Sequence, residues 1–289
     1  KKAGDLLEEV VSIKPNFADA YNNLGICLEK LNDLDGAKKN YNLAIDNRPN
    51  FAEAYNNIGV VFQKLRNFDQ AILQYKKAIN YKNLYLDAYI NLANLFKEIK
   101  QFEEAIKNYD LAINLNPNLA EVYNNKGNAL KEIRKFEEAI KNYDLAINLN
   151  PNFAEAYFNA ATALQDIKNF EKAVLYFEKA LLLDKEIPFC KGYLLHAKML
   201  CCNWSGLNEL YKEIYNDVEK YIYGLKSKVK IYVPKVGITI PKQSDYDRGY
   251  YYRFFYKLAN NNKGIVYEIE EKEYNKLQKE KIYKILKIK

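Results

Sequence analysis

Five asparagines stand 34 residues apart in this sequence: Asn23, Asn57, Asn91, Asn125 and Asn159. In mid-helix an asparagine costs roughly a few tenths of a kcal/mol relative to alanine, so five at one register need a reason. A carboxamide has one accepting oxygen and two donated hydrogens. A ladder of them could satisfy the N–H and C=O groups of an extended peptide backbone. Each could equally bond the loop or helix of the adjacent segment. One residue earlier in each period come Asn22, Asn56, Ile90, Asn124 and Phe158, which makes Asn22, Asn56 and Asn124 secondary candidates for contact. Lys30, Lys64, Lys97 and Lys131 lie nearby, but Lys97 and Lys131 fall one position earlier in their periods than the other two. Parts of a basic clamp for acidic chain ends are therefore present without the whole pattern.

Catalytic chemistry finds few candidates. The single histidine, His196, lies in an apolar segment, where a core or interface role is the simpler account. The sequence has no G-x-G-x-x-G, no phosphate-cradling Gly-Lys-Ser/Thr loop and no H-E-x-x-H. Glu103-Glu104 and Glu137-Glu138 open helical segments, where carboxylates complement the helix dipole. Cys27, Cys190, Cys201 and Cys202 form no C-x-x-C pair, so neither a metal site nor a disulfide framework is expected. The expectation is a non-enzymatic protein with no catalytic residue, no metal and no cofactor.

The elements that position the ladder are repeats. The segment from Ala52, AEAYNNIGVVFQKLRNFDQAILQYKKAINYKN, returns 34 residues later from Leu86, again from Ala120 and Ala154, and one period earlier from Ala18. The stretch EEAIKNYDLAINLNPN occurs twice verbatim, at 103–118 and 137–152. Each first helix opens on an aromatic (Tyr21, Tyr55, Tyr89, Tyr123, Tyr157), with Gly25, Gly59, Ala93, Gly127 and Ala161 four residues on. Second helices carry Ala37, Ala71, Ala105, Ala139 and Ala173, then Tyr41, Tyr75, Tyr109, Tyr143 and Phe177, then a further alanine. Small residues let two antiparallel helices approach and the aromatic fills the groove beside them. Pro49, Pro117 and Pro151 close three units, because proline cannot continue a helix. Asn83, Lys126 and Lys185 depart from the pattern.

This period, with two helices per unit and these residues, resembles the tetratricopeptide repeat (TPR). The resemblance implies a mostly α fold: a helical-hairpin, superhelical solenoid whose first helices line a concave side. The asparagine ladder further resembles that of O-GlcNAc transferases, in which such residues hold substrate backbone. The stretch Leu195-His196-Ala197-Lys198-Met199-Leu200-Cys201-Cys202-Asn203-Trp204 looks like the junction after the repeats in bacterial relatives of those enzymes. The 85 residues after Trp204 are too few for two nucleotide-sugar domains.

The expected organisation is a solenoid over 1–222. It comprises a leading half-repeat (1–15), full repeats at 16–49, 50–83, 84–117, 118–151 and 152–185, and a degenerate unit at 186–222. Residues 223–289 read as a small basic α+β C-terminal module. KVKIYVPKVGITIPK alternates like a strand pair, Ser244 to Ala259 and Glu270 to Lys279 read as helices, and 265–269 and 282–288 as strands. That segment holds 16 Lys+Arg against 7 Asp+Glu, so the basic excess of the chain belongs to it. A Lys-rich solvated face accounts for it more simply than an acidic surface or nucleic acid partner. Its aromatic cluster (Tyr246, Tyr250, Tyr251, Tyr252, Phe254, Phe255 and Tyr256, with Arg248 and Arg253) reads as core and contact face rather than a base-stacking platform. The sequence has no apolar run of about 18 residues that would span a bilayer. It opens on Lys1-Lys2-Ala3 without Met, so either a leader has been removed or the numbering starts inside a longer product.

Together these features predict a protein-interaction scaffold that holds an extended segment or surface of another protein on the concave face. The alternative is a structural protein whose copies join head to tail, through solenoid ends and the C-terminal module, into a homo-oligomer or filament. The uncovered half-repeat motivates it, although the same ends could simply be capped.

Overall fold

A computed structural model describes residues 2–216, and all the regular structure among them is helical. The expected α+β module at 223–289, and the last residues of the degenerate unit, lie outside the described residues. The described residues divide into two compact units, with the boundary between Ala163 and Leu164.

The first unit opens with α1 (Lys2–Ile13) and continues as helical hairpins: α2 (Ala18–Lys30) with α3 (Leu34–Asn47), α4 (Ala52–Lys64) with α5 (Phe68–Tyr81), α6 (Leu86–Glu98) with α7 (Phe102–Leu115), and α8 (Ala120–Glu132) with α9 (Phe136–Leu149). A further first helix, α10 (Ala154–Asp166), follows. Ala37, Tyr41 and Ala44 are spaced four and three apart and so share one helix face. They and their equivalents in α5, α7 and α9 are fully buried. The glycine of the facing first helix leaves room for the tyrosine. A Cβ at Gly25, Gly59 or Gly127 would lie 2.5, 2.7 or 2.5 Å from Cε1 of Tyr41, Tyr75 or Tyr143. In the third repeat Ala93 stands at that register, and Tyr109 is still fully buried. One apolar cluster, including Tyr75, Leu92, Phe96, Tyr109 and Val122, runs from α5 to α8 and ties successive hairpins together. The departure at Lys126 is accommodated by an ion pair, since its Nζ lies 2.6 Å from Asp110 Oδ1 on α7.

Each first helix ends the same way. Asn32, Arg66, Lys100, Arg134 and Lys168, again 34 apart, have φ between 57° and 63°. The following N–H reaches back to the carbonyl five residues earlier: Asp33 to Leu28, Asn67 to Phe62, Gln101 to Phe96, Lys135 to Leu130 and Asn169 to Leu164. This is the Schellman closure, which takes up carbonyls the helix end would leave open. Only Asn32 is a residue type with an affinity for the left-handed region. At the other four positions a long cation adopts it, against a cost of about 1–2 kcal/mol. The next residue starts the second helix. Asp33, Asn67 and Asn169 accept from the N–H three residues on, as N-caps do. Gln101 and Lys135 make no such bond, and there the first turn carries the glutamate pairs instead.

Between repeats the linker changes character along the chain. Lys14, Arg48 and Lys82 each lie over the aromatic ring three residues later, Phe17, Phe51 and Tyr85, at 4.9, 4.3 and 4.6 Å. Arg48 also forks onto Asp19 and Lys82 bonds Glu53 at 2.8 Å, so two of these cations clasp the start of their own first helix. From the third repeat on the position is Asn116, Asn150 and Asp184, whose side chains accept from the N–H two residues later.

The second unit contains the end of α10, α11 (Phe170–Leu183), α12 (Cys190–Leu200) and a last helical stretch at 207–216. Cys190 is buried where α12 meets α11, its Sγ 3.8 Å from the Phe177 carbonyl, and burial pushes its thiol up to about 12. Phe177 stacks on Tyr193 at 5.9 Å. Lys198, only 5% exposed, is held by Glu178 at 2.7 Å and by the Ser205 carbonyl at 2.8 Å, which pins the turn after α12 onto α11. A buried lysine is tolerated because both its charge and its hydrogens are engaged.

Candidate binding face on the first helices

In the first unit α2, α4, α6, α8 and the start of α10 lie side by side, and the ladder sits on the face they share. The structure gives the asparagines a definite first task. Asn57 Nδ2 donates to Asn22 Oδ1, Asn91 Nδ2 to Asn56 Oδ1 and Asn159 Nδ2 to Asn124 Oδ1, each at 3.0 Å. Each amide thus bonds the preceding first helix through the residue one position before that helix's own ladder asparagine. The fourth rung confirms the logic by its exception. Asn125 would have to bond Ile90, which accepts nothing, and its Oδ1 instead takes the ammonium of Lys97 at 2.7 Å. Asn22, Asn56 and Asn124 are buried. They serve as acceptors beneath the face, and Asn124 also donates to Glu155 at 3.3 Å. Asn23 is exposed, Asn57, Asn91 and Asn125 are half-buried, and Asn159 is buried. One amide hydrogen of Asn57 and of Asn91 is therefore committed to the scaffold.

A second row of polar groups was not legible as such in the sequence. The buried tyrosine of each second helix sends its hydroxyl to the first helix, by two routes. Tyr41 donates to Glu29 Oε2 at 2.9 Å and Tyr75 to Gln63 Oε1 at 3.0 Å. Tyr109 and Tyr143 donate to Asn94 Oδ1 at 2.6 Å and Asn128 Oδ1 at 2.7 Å, three residues nearer the helix start. The sequence shows why. Ile26 and Val60, at the register of Asn94 and Asn128, accept nothing. Lys97 and Lys131, at the register of Glu29 and Gln63, have no acceptor either. Burial pushes the Tyr41, Tyr75 and Tyr109 phenols well above the usual range, so these hydroxyls stay protonated donors.

The register shift of the lysines follows from the same pattern. Lys64 pairs with Glu29 at 2.7 Å along the face, whereas Lys97 bonds Asn125 and Lys131 bonds Thr162 Oγ1 at 3.0 Å. Desolvation lowers the Lys97 pKa below that of an ordinary lysine, with the charge of Glu155 acting in the opposite direction.

The other sequence candidates have structural settings. His196 Nδ1 lies 3.5 Å from Gln165 Nε2, and burial lowers its pKa, which favours the neutral ring. Glu103-Glu104 and Glu137-Glu138 occupy first turns of α7 and α9. Among the described residues no group of three potential metal ligands occurs, and no helix is long and apolar enough to cross a membrane.

A right-sized residue at each buried position, hairpins of uniform length and the closing turns together define a tetratricopeptide-repeat protein, and the chain belongs to that family. The tetratricopeptide-repeat pattern matches residues 18–51, 52–81, 120–153 and 154–187, and a further TPR pattern matches 93–133. Similar solved structures include YrrB, described as a TPR protein with an unusual peptide-binding site, at 23% identity and a TM-score of 0.56, covering 66% of this chain and 97% of that one. MamA is 26% identical with a TM-score of 0.54, over 58% of this chain and 92% of that one. PilF of Pseudomonas aeruginosa is 20% identical with a TM-score of 0.60, over 69% and 90%. No functionally curated protein matches the sequence. Proteins of this fold are generally non-enzymatic interaction scaffolds, and no catalytic family is indicated.

Proposed function

We propose that this chain is a scaffold that captures an extended segment of another protein along the first-helix face. The observation that carries the reading is the orientation of the ladder. Asn57 and Asn91 are held by one N–H each, which fixes their rotamers and leaves their carbonyl oxygens for a ligand. Fixed amides reduce the entropy cost of binding a backbone. The likeness of the ladder to the asparagine rows of O-GlcNAc transferases supports the same reading. In this account Asn23, Asn57, Asn91 and Asn125 touch the segment, while Asn22, Asn56 and Asn124 hold the rungs in place and Asn159 closes the row.

Replacing Asn57, Asn91 and Asn125 together by Ala is expected to weaken capture of a selected peptide at least tenfold, about 1.4 kcal/mol. Circular dichroism should show helicity retained. Undiminished capture by the triple variant would remove the ladder from the binding face.

The exposed surface of α1 favours a second reading, self-assembly. Leu6 is 63% exposed and Ile13 77% exposed on α1, a helix whose sequence matches a second-helix register. Such an exposed apolar surface suits a head-to-tail contact with another copy, which need not close. Sedimentation over a concentration series should then show growing assemblies for the full chain and single copies for a variant lacking residues 1–15. Long assemblies from the truncated chain would exclude this end as the joint.

A further inference from the structure

The second helices of the third and fourth repeats present one surface twice. α7 and α9 share the sequence FEEAIKNYDLAINL, and both bury their alanines and tyrosine. Turned the other way are Leu111 and Leu145, each 45% exposed. Glu104, Lys107 and Leu111 stand three and four apart and share one stripe of the helix, with Glu103 beside it. Glu103 and its equivalent Glu137 are exposed, and their carboxylates have no ion pair or hydrogen bond among the described residues. Glu104 pairs with Lys107 at 2.5 Å and Glu138 with Lys135 at 3.2 Å, both in half-exposed pairs that solvent screens.

The acidity of this surface belongs to the duplicated pair. α7 carries Glu103, Glu104 and Asp110 against Lys107, a net of −2, and α9 repeats that balance. In α3 Asp35 and Asp46 meet Lys38 and Lys39, and in α5 Asp69 meets Lys76 and Lys77. Those two helices are neutral and basic.

The chain holds the chemical counterpart in its own sequence. Residues 225–242 contain Lys226, Lys228, Lys230, Lys235 and Lys242 with no Asp or Glu, interleaved with Val229, Ile231 and Val233. Apolar contact supplies burial, and opposite charges select the partner and its register.

We propose that the basic stretch 225–242 of one copy docks on the exposed faces of α7 and α9 of another. The inference rests on the self-assembly reading and names a joint that does not use α1. Donor and acceptor surfaces differ, so the contact is heterologous and continues from copy to copy. The first-helix face stays open for a peptide.

The test mixes equal amounts of light and isotopically heavy full chain and treats them with a zero-length reagent that joins lysine amines to carboxylates. Mass spectrometry should find light–heavy links between the lysines of 225–242 and Glu103 or Glu137. Links confined to one isotopic species would mean that the stretch folds back on its own chain, and they overturn the proposal. Links only to other carboxylates, or none, overturn it too.

Sedimentation at low salt supplies the second arm. Glu103→Lys with Glu137→Lys should weaken association about tenfold, as should Lys226→Glu with Lys228→Glu. Mixing the two variant chains should restore it, which a merely misfolded variant would not do. Failure to restore overturns the contact. Assemblies undiminished in both variants overturn the contact and leave self-assembly standing. Single copies of the unaltered chain at every concentration overturn both.

Discussion

Tyr109→Ala is expected to lower stability by about 3–5 kcal/mol, the range for truncating a large, fully buried aromatic side chain. The ring lies in the cluster that links α5 to α8, so its loss opens a cavity inside one hairpin and at the joint with the next. A stacked array is held together by neighbour contacts, and the effect should spread beyond the third repeat. Urea unfolding of the full chain, followed by helicity, should show an earlier and broader transition. Tyr109→Phe separates the ring from the hydroxyl. It removes only the bond to Asn94 and should cost about 1 kcal/mol. Similar losses in the two variants would mean that the hydroxyl, and not the ring, holds the hairpin.

Gly127→Val should approach the lower end of that loss. Its Cβ alone would sit 2.5 Å from Tyr143 Cε1 and 2.8 Å from Cδ1, inside contact distance of a ring that is fully buried. The ring cannot swing away without leaving the core and its bond to Asn128. Two further methyl carbons deepen the overlap, and overpacking of a filled core costs about 1–3 kcal/mol or more. Gly127→Ala should cost less, because Ala93 occupies the same register opposite the buried Tyr109 and the helix pair accommodates it. The ratio of the two losses, read from the same urea transitions, checks the account. A valine variant as stable as wild type would show that the interhelix gap is wider than these distances imply.

Much of this fold is legible in the sequence because its information repeats. Five copies of the Tyr, Gly/Ala, Ala, Tyr/Phe, Ala pattern fix which faces meet, and the hairpins follow. The left-handed residues are not legible, because the sequence offers Arg66, Lys100, Arg134 and Lys168 where glycine would announce the turn. There the hydrogen bonds of the closing turn, supported by the packed helices on either side, override the local preference.

The ladder shows a different limit. Its period is plain, but a carboxamide's two roles cannot be divided from sequence alone. The structure divides them by geometry, since Asn22 and Asn56 lie one position earlier and within reach, whereas Ile90 leaves Asn125 to Lys97. The exchange of Glu29 and Gln63 for Lys97 and Lys131, matched by Ile26 and Val60 for Asn94 and Asn128, is likewise written in the sequence. It becomes interpretable only once the tyrosine hydroxyl is seen to need one acceptor at either of two places.

The central claim is that the first-helix face of repeats one to four is where a partner segment lies. Hydrogen-exchange mass spectrometry of the full chain, with and without a peptide selected from a random library, tests it directly. The account predicts added protection in α4, α6 and α8, with α5, α7 and α9 unchanged. Protection confined to the second helices would contradict it and move the binding surface to the opposite side of the repeats.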